Sequence, residues 1–424
     1  MSRSGQCGYV CSVPRPRLPR AVVRAGALTV AAPFAVAAAL IVTDAVKKYR
    51  RDTTEVKFPH LPPLDGEVAG TRTRLFTYGE DLYADMLAAI RGAQHTIMLE
   101  SYIWKGDAIG AEFKDALIEA ADRGVSVYVI FDGFANLVVP REFLQFPERV
   151  HVLRYPAFRP GLLTLNVRHS GRDHRKILVV DDEIGFVGGY NIGSLYATDW
   201  RDTHLRLEGP AVWDLRNAFV DFWNSTRRSH LPVLPDPGSD LWEPHIRPAR
   251  NAPGHLLFPI RGIYLQAIDR AQSHIYITQA YFIPDHEILD ALLAAARRGV
   301  DVRVIVPENS NHVVTDWLSR GFYSSLLAGG VTIWLFQDAM VHAKTATIDG
   351  VWTTIGTANI DRLSLSGNYE INMEIYDEGL AAQMERVFES DLSNCRELTA
   401  EEWEERGRVA RISERVLAPL RPLM

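Results

Sequence analysis

An α/β protein built from two duplicated lobes is what this sequence predicts, and three observations predict it. Strand-like apolar runs alternate with helical ones along most of the 424 residues. A helix–strand–helix–strand pattern occurs twice. A set of polar residues then recurs at one constant offset. Strands alternating with helices of this length imply parallel strands joined by helical crossovers. A chain this long is also expected to need more than one hydrophobic core.

Composition supports folded lobes and narrows the partners. Hydrophobic residues make up 47% and charged residues 23%, ordinary values for a globular chain. The net charge of −6 is unevenly spread: residues 1–57 hold ten Lys/Arg against three Asp/Glu, or +7, which leaves −13 for the remainder. A body this acidic is a poor non-specific nucleic-acid binder, because phosphate neutralisation takes clustered Lys and Arg. Cys7 and Cys11 lie in the N-terminal tail and Cys395 stands alone, so the body has no disulfide framework. No carboxylate or histidine set suggests a metal, and no cofactor is expected.

In chain order, a basic tail (1–24) precedes an uncharged stretch, residues 25–43. At helical rise this stretch is roughly 28 Å long, about one hydrocarbon thickness. Residues 25–46 are therefore expected to form an uncleaved transmembrane anchor. A signal peptide would have a shorter apolar region and a small-residue cleavage site, whereas here Lys47, Lys48, Arg50 and Arg51 follow. Arg15, Arg17, Arg20 and Arg24 precede it, so charge alone does not orient it. Residues 47–70, with Pro59, Pro62, Pro63 and Gly66, read as a linker.

Lobe 1 is expected over 71–230, an inter-lobe linker over 231–255, and lobe 2 over 256–424, ending in charged amphipathic helices. The duplication is visible in AAIRGAQHTIMLESYIW (88–104) and QAIDRAQSHIYITQAYF (266–282). Each is followed by a helical run, an Arg-Gly helix stop and a second buried strand, VSVYVIFDG or VDVRVIVPE.

The polar residues repeat more strictly. DHRKILVVDDEIGFVGGYN supplies His174, Lys176, Asp181, Gly188 and Asn191; VHAKTATIDGVWTTIGTAN supplies His342, Lys344, Asp349, Gly356 and Asn359. Every pair differs by 168 positions (342 against 174, 359 against 191), and Asp202 pairs with Glu370 in the same register. One His-x-Lys-x(4)-Asp match carries little weight, being a strand with exposed polar residues more often than a site. Two in one register are a different matter. Residues two apart on a strand share a face, so each His and Lys point the same way. Asp181-Asp182 and Asp349-Gly350 fit hairpin turns, and the returning strand brings Gly188/Asn191 or Gly356/Asn359 back beside them.

This pattern resembles the phospholipase D superfamily and, within it, the bacterial cardiolipin synthases. The similarity extends to VGGYNIG, WRDTHLRLEGPAV (200–212), YFIPD (281–285), HAKT (342–345), GTANIDRLSL and NYEIN, covering most of residues 75–424. Gly189 departs from it, since many members have Ser there, and so does the single apolar segment. The resemblance implies two phospholipase D-like α/β lobes meeting at a pseudo-twofold interface, with one site made by both motifs.

It also implies a chemistry that suits these residues. A phosphodiester is anionic, so its oxygens must be neutralised; Lys176 and Lys344 do so as point charges. Asn191 and Asn359 add amide donors, and Gly188 and Gly356 are expected to let backbone approach the phosphate. One histidine, His174 by family precedent, forms a phosphohistidine, and His342 serves as acid and base. Asp202 and Glu370 are the matched candidates to orient the rings. Asp181 and Asp349 complete the catalytic motif, but they fall at the hairpin turns and read as structural.

The weaker candidates have competing readings. Glu100 faces either the cleft or a core-edge salt bridge. His169 and His204 read as solvated or hydrogen-bonded. The loop with Phe158, Leu162, Leu163 and Leu165 is either a satellite core cluster or a lipid contact.

The expected reaction is phosphatidyl transfer to phosphatidylglycerol, giving cardiolipin and glycerol at the cell membrane. The resemblance weakly favours the cytoplasmic side for the catalytic body. A hydrolytic phospholipase D, a nuclease and a non-catalytic lipid scaffold are the alternatives. The acidic body argues against the nuclease, and two intact motifs argue against the scaffold. Acyl-chain preference and oligomeric state are not legible.

Overall fold

The structure is a computed structural model and describes residues 32–44, 46, 56–158, 171–240 and 242–423. Lobe 1 contains β1 (Leu64–Val68), β2 (Thr71–Phe76), β3 (Thr96–Ser101), β4 (Ser126–Asp132), β5 (Val150–Tyr155), β6 (Ile177–Val180), β7 (Ile184–Gly188), β8 (Trp200–Arg201) and β9 (His204–Glu208). Eight of these form a sheet in the order β1-β2-β9-β7-β6-β3-β4-β5. The expected parallel strands are β3, β4 and β5, and the others pair antiparallel.

Lobe 2 repeats the plan with β10 (Ile246–Asn251), β11 (His274–Gln279), β12 (Asp301–Pro307), β13 (Thr332–Phe336), β14 (Met340–Val341), β15 (Lys344–Ile348), β16 (Trp352–Gly356), β17 (Glu370–Tyr376) and β18 (Cys395–Leu398). Its sheet order is β10-β17-β16-β15-β11-β12-β13-β18. The lobes differ at their edges, where lobe 1 adds β1 and lobe 2 adds β18. Strands β1 and β10 fall within stretches expected as linkers. Both are short, polar and on or next to a sheet edge, where an apolar alternation is not required.

The Arg-Gly stops act as anticipated. Gly124 and Gly299 take positive φ (+92° and +91°) after the helices Ala108–Asp122 and His286–Arg297. Arg123 and Arg298 reach back to carbonyls ending the preceding helix of each lobe, at Arg91 (2.9 Å) and Ile268 (3.0 Å).

Each sheet is covered by helices on its outer face. The inner faces meet in one shared core, with Val179, Val187 and Leu205 from lobe 1 against Ile355, Ile371 and Met373 from lobe 2. Phe219 and Trp223 of the helix Val212–Thr226, and Leu380 and Met384 of the helix Glu378–Leu392, fill the same core. Burial on both faces explains why these strands read as nearly unbroken apolar runs.

Two contacts then stitch the lobes at the level of the motifs. Strand β8 pairs in parallel with β14, with Arg201 opposite Val341, and Asp173 bridges to Tyr369. These are one contact made twice, since 341 − 173 and 369 − 201 both equal 168.

Residues 32–44 are helical, and Val36, Ala37 and Leu40 pack against the lobe 2 core. The rest of the expected anchor, residues 25–31 and 45, lies outside the described residues, as does the basic tail. Among the described residues no helix is long and apolar enough to cross a membrane.

Candidate active site

The pseudo-twofold contacts place both motifs at one cavity. Because Asp173 and Val341 are bridged to the opposite lobe, the next residue of each motif is held by a cross-lobe backbone bond. The His174 amide donates to the Tyr369 carbonyl (3.0 Å) and the His342 amide to the Arg201 carbonyl (2.6 Å). A cavity of about 670 Å³ is lined by His174, His342, Asn191 and Asn359 together. Tyr102 meets the His174 ring edge-on at 4.6 Å, and Trp200 lies 4.8 Å from the His342 ring.

Each imidazole is oriented by a carboxylate from the other lobe. His174 Nδ1 lies 2.9 Å from Glu370 Oε2, and His342 Nδ1 lies 2.6 Å from Asp202 Oδ2. With Nδ1 engaged, Nε2 is the nitrogen left to face the cavity. The lysines sit beneath the histidines: Lys176 Nζ donates to the His174 carbonyl at 2.6 Å, and Lys344 Nζ donates to that of His342.

The site is electrostatically tense, because few groups in it reach water. Burial lowers Lys176 to about 7 and Lys344 to about 8. Burial, followed by Lys344, takes His342 down to about 3. Burial, with Lys176 and Lys344, also holds His174 well below the ordinary imidazole range. Glu370 is pushed up to about 7 by burial. Asp202 is equally buried, yet Lys344 and His342 outweigh that burial and keep its pKa below the usual value. Lys176 and Lys344, buried behind the two histidines, stand close enough to repel, and such a pair of cations favours an anion beside it.

Three sets of expected site residues sit elsewhere. Asp181 and Asp349 occupy the far ends of β6 and β15 at positive φ (+53° each). Asp181 accepts from the amides of Gln94, His95 and Thr96 (2.7–2.8 Å), and Asp349 from those of Gln272, Ser273 and His274 (2.8–2.9 Å). They tie each hairpin to the start of the neighbouring strand and do not line the cavity.

Gly188 and Gly356 do not line the cavity either. A Cβ on Gly188 would stand 2.5 Å from the Thr203 carbonyl, and one on Gly356 would overlap the Ile371 carbonyl and the Asn372 side chain. What they admit is the adjacent strand, β9 or β17.

Glu100 is not in the cleft. It lies fully buried, 2.6 Å from Arg175, which also approaches Asp173 at 3.5 Å. Alternation along the strand sends Arg175 to the face opposite His174 and Lys176, and Glu100 meets it there.

Of the remaining candidates, His204 is buried beside Gly188, and burial takes it to about 3. Phe158 is exposed, while His169, Leu162, Leu163 and Leu165 lie outside the described residues. Among the described residues, no group of three or more His, Cys, Asp or Glu is placed to hold a metal ion.

Sequence reasoning missed several contributors. Thr357 donates to Glu370 Oε2 at 2.6 Å. Its counterpart at the 168 offset is Gly189, where a Cβ would overlap the Asp202 carboxylate. Arg201 forms a buried bidentate pair with Asp391 (2.7 and 2.8 Å) and also donates to the Asp202 carbonyl. The offset does not flag Thr357 or Arg201, whose counterparts are the unlike residues Gly189 and Tyr369, and nothing in the sequence singled out Tyr102 or Asp391.

Known proteins resemble this chain in sequence and fold. A family model described as cardiolipin synthase, phospholipase D-like domain, matches the chain twice, at residues 86–223 and 264–392. A cardiolipin synthase of Clostridium perfringens (strain SM101 / Type A) is 33% identical over 399 residues, spanning 89% of this chain and 83% of that protein. The major cardiolipin synthase ClsA of Bacillus subtilis (strain 168) is 33% identical over 362 residues, 82% of this chain and 75% of that one. Among solved structures, the phosphatidylserine synthase of Haemophilus influenzae Rd KW20 superposes with a TM-score of 0.64 at 15% identity. That match covers 85% of this chain and 94% of the other, and at that identity it is a likeness of fold.

Proposed function

This chain belongs to the cardiolipin synthase family of phospholipase D-like phosphatidyltransferases, and from that premise we propose that it joins two phosphatidylglycerol molecules through a phosphohistidine, releasing glycerol. The observation that carries this reading is the pair of imidazoles lining one cavity, each with Nδ1 committed to a carboxylate.

Nε2 of His174 attacks phosphorus, forming a P–N bond as the P–O bond to the headgroup glycerol breaks. His342, protonated at Nε2, gives its proton to the departing alkoxide. The hydroxyl of a second phosphatidylglycerol then loses its proton to His342. Its oxygen attacks phosphorus, and the P–N bond breaks to give cardiolipin and restore both rings. Lys176, Lys344, Asn191 and Asn359 hold the non-bridging oxygens. His342 lies low, near 3, in the free protein. The negative charge of a bound phosphodiester, set among the ammonium groups, raises its proton affinity toward what an acid requires.

The cavity walls suit a lipid. Ile103, Phe134, Ile283, Val313, Val314 and Leu363 surround the polar groups. A volume of about 670 Å³ falls in the range that encloses a drug-sized ligand, so headgroup and glyceryl ester fit while the acyl chains trail outward. The N-terminal segment attaches the enzyme to the membrane in this reading, with the catalytic body on the cytoplasmic side; because Val36, Ala37 and Leu40 pack against the lobe 2 core, the described helix 32–44 does not itself cross the bilayer.

The deciding experiment incubates purified protein with labelled phosphatidylglycerol, with and without EDTA, and resolves products by mass spectrometry. Cardiolipin and glycerol in both arms support the proposal. Phosphatidic acid as the main product would instead assign a hydrolase.

A further inference from the structure

The twofold that doubles the catalytic groups is broken in the walls around them. At the offset of 168, Gly193, Tyr196 and Trp200 of lobe 1 correspond to Asp361, Ser364 and Asn368 of lobe 2. At the strand ends that reach the cavity, Ile103 corresponds to Tyr281, since the isolated bridges Trp104–Ile192 and Phe282–Ile360 are one contact made twice. Ile103, Tyr196 and Trp200 line the cavity from lobe 1, and Tyr281, Asp361, Ser364 and Asn368 line it from lobe 2. The lobe 1 wall is thus built of rings and aliphatic groups, whereas the lobe 2 wall carries a carboxylate, hydroxyls and an amide.

Asp361 decides what lies against that wall. Of the two carboxylates lining the cavity, Asp44 on the N-terminal helix is half-buried, whereas Asp361 is 7% exposed. Its Oδ1 accepts the Ser364 amide (2.7 Å) and caps the helix Arg362–Ser366. Burial raises it to about 6, so it is ionised at neutral pH. An ionised carboxylate only accepts hydrogen bonds, and so does a phosphodiester, so the two repel. Shielded from bulk water, Asp361 calls for hydrogen-bond donors, and hydroxyl groups supply them. In the same wall, the Tyr281 hydroxyl donates to Asn311 Oδ1 (2.6 Å), and the Tyr281 ring centre stands 6.4 Å from that of His342. The polar wall thereby extends to the histidine assigned as acid and base.

We infer that Asp361 holds the free hydroxyl on the carbon next to the reacting oxygen of a glycerol headgroup, and so makes the site selective for polyol alcohols. This deepens the phosphatidyl-transfer reading and rests on it. The departing glycerol and the glycerol of the incoming phosphatidylglycerol share that hydroxyl, at C2. The remaining carbon bears a hydroxyl in the one and a phosphate in the other, so a carboxylate suits only the shared position. In lobe 1, Gly193 stands where Asp361 stands in lobe 2, which leaves that side to the diacylglyceryl part of the donor, a group with no free hydroxyl.

The test forms the covalent adduct of the full chain from a short-chain nitrophenyl phosphatidyl ester. It then measures capture of that adduct by glycerol and by trimethylene glycol, which lacks only the C2 hydroxyl. An acceptor that leaves the buried carboxylate unpaired should be disfavoured, so the parent should prefer glycerol roughly tenfold to a hundredfold in kcat/KM. Asp361→Ser keeps a side chain able to cap the helix but not the carboxylate, and should bring the two alcohols within a few-fold of each other. The ratio is read within each variant, so a partly folded sample does not disturb it. Adduct formation, in which no polyol takes part, should fall less than capture by glycerol. Indifference of the parent to the C2 hydroxyl, or an unaltered preference in Asp361→Ser, would overturn the inference. So would an equal fall in both steps, which would make Asp361 a helix cap alone. A parent that captures glycerol selectively yet makes no cardiolipin from phosphatidylglycerol would sink the functional reading and leave the inference standing. Phosphatidic acid in place of both alcohol esters would overturn the two together.

Discussion

The Nδ1 atom of His342 lies 2.6 Å from the carboxylate of Asp202, a residue of the opposite lobe. The twofold-related pair, His174 with Glu370, repeats the exchange at 2.9 Å. Neither lobe therefore holds an oriented histidine by itself. The exchange makes Asp202→Asn a lesion of the lobe 2 histidine and Glu370→Gln a lesion of the lobe 1 histidine. Each should lower turnover by roughly 10²–10⁴-fold, the range for losing general acid–base assistance or the correct tautomer. On a nitrophenyl phosphatidyl ester, whose leaving group needs no proton, quenched-flow trapping of the covalent adduct separates them: Glu370→Gln should slow its formation and Asp202→Asn its breakdown. The same step slowed by both would contradict the crossed pairing of roles.

The buried charges set a pH dependence. Glu370 must be ionised to hold the His174 proton and stands near 7, so activity should rise as pH rises through about that value. Lys176 and Lys344, near 7 and 8, lose charge as pH rises further, so phosphate binding should then fall. A bell-shaped kcat/KM profile with a narrow top between the two is expected, since this ratio reports the free enzyme. Bound phosphate stabilises the ammonium forms, so the alkaline limb of kcat should lie at higher pH than that of kcat/KM. Lys176→Arg, which stays charged throughout, should move the alkaline limb upward. Coincident alkaline limbs in the two profiles would count against the lysines as the titrating groups.

The offset of 168 made both lobes, both motifs and the matched carboxylates readable before any coordinates. It could not reveal the crossing of Asp202 to His342, because a repeat states which residues are equivalent and not which equivalent each one touches. Pairing within a copy and pairing between copies satisfy the same register. Gly188 failed differently: a missing Cβ serves equally for a ligand or a neighbouring strand, and only the pairing of β7 with β9 decides. Glu100 was ambiguous because its partner Arg175 lies 75 residues away, beyond any local pattern. The helix Glu378–Leu392 was foreseen as a closing element. That its Asp391 would enter the lobe interface against Arg201 had no local signal.

Asp181 and Asp349 give a prediction about stability, not chemistry. Each carboxylate satisfies three backbone amides at the start of a central strand. Asp181→Ala leaves those donors without it, at a cost of about 1–3 kcal/mol. For lobes of this size that lowers the unfolding midpoint by several degrees. Specific activity of the folded fraction at low temperature should stay within a few-fold of the parent. Calorimetry with parallel assays checks both, and a dead but fully stable variant would return the motif aspartate to the active site.

Arg201 and Asp391 form the contact that underlies the Asp202–His342 pair. The guanidinium is buried, grips Asp391 with two bonds and donates to the Asp202 carbonyl, while its own carbonyl receives the His342 amide. At the related position Tyr369 packs on Phe222 with ring centres 4.8 Å apart, so the two sides of the twofold are held by different forces. Asp391→Asn removes the charge and keeps the shape. On a substrate whose leaving group needs no proton, it should slow adduct breakdown, which needs His342 as base, more than adduct formation, which needs His174. Breaking such a pair costs roughly 3–5 kcal/mol where the remaining charge stays buried, so thermal unfolding must be followed alongside. Equal loss in both steps would make the pair a lobe clamp and nothing more.

The last prediction separates the histidines themselves. The His174 side chain is 12% exposed and that of His342 6%, and otherwise the two dyads are close to mirror copies. Geometry therefore permits either ring to attack, and chemistry must distinguish them. His174→Ala should abolish any covalent phosphatidyl-enzyme, because the nucleophile is gone. His342→Ala should be nearly inert on phosphatidylglycerol, since the glycerol alkoxide is a poor leaving group without a proton, a deficit of roughly 10²–10⁴-fold. A nitrophenyl phosphatidyl ester leaves without protonation. With it, His342→Ala should still phosphorylate His174 and then stall, because the incoming alcohol finds no base. Acid quench and peptide mapping should locate the adduct at residue 174 in that variant. An adduct at residue 342 in His174→Ala would reverse the roles, and an adduct in neither variant would remove the covalent mechanism.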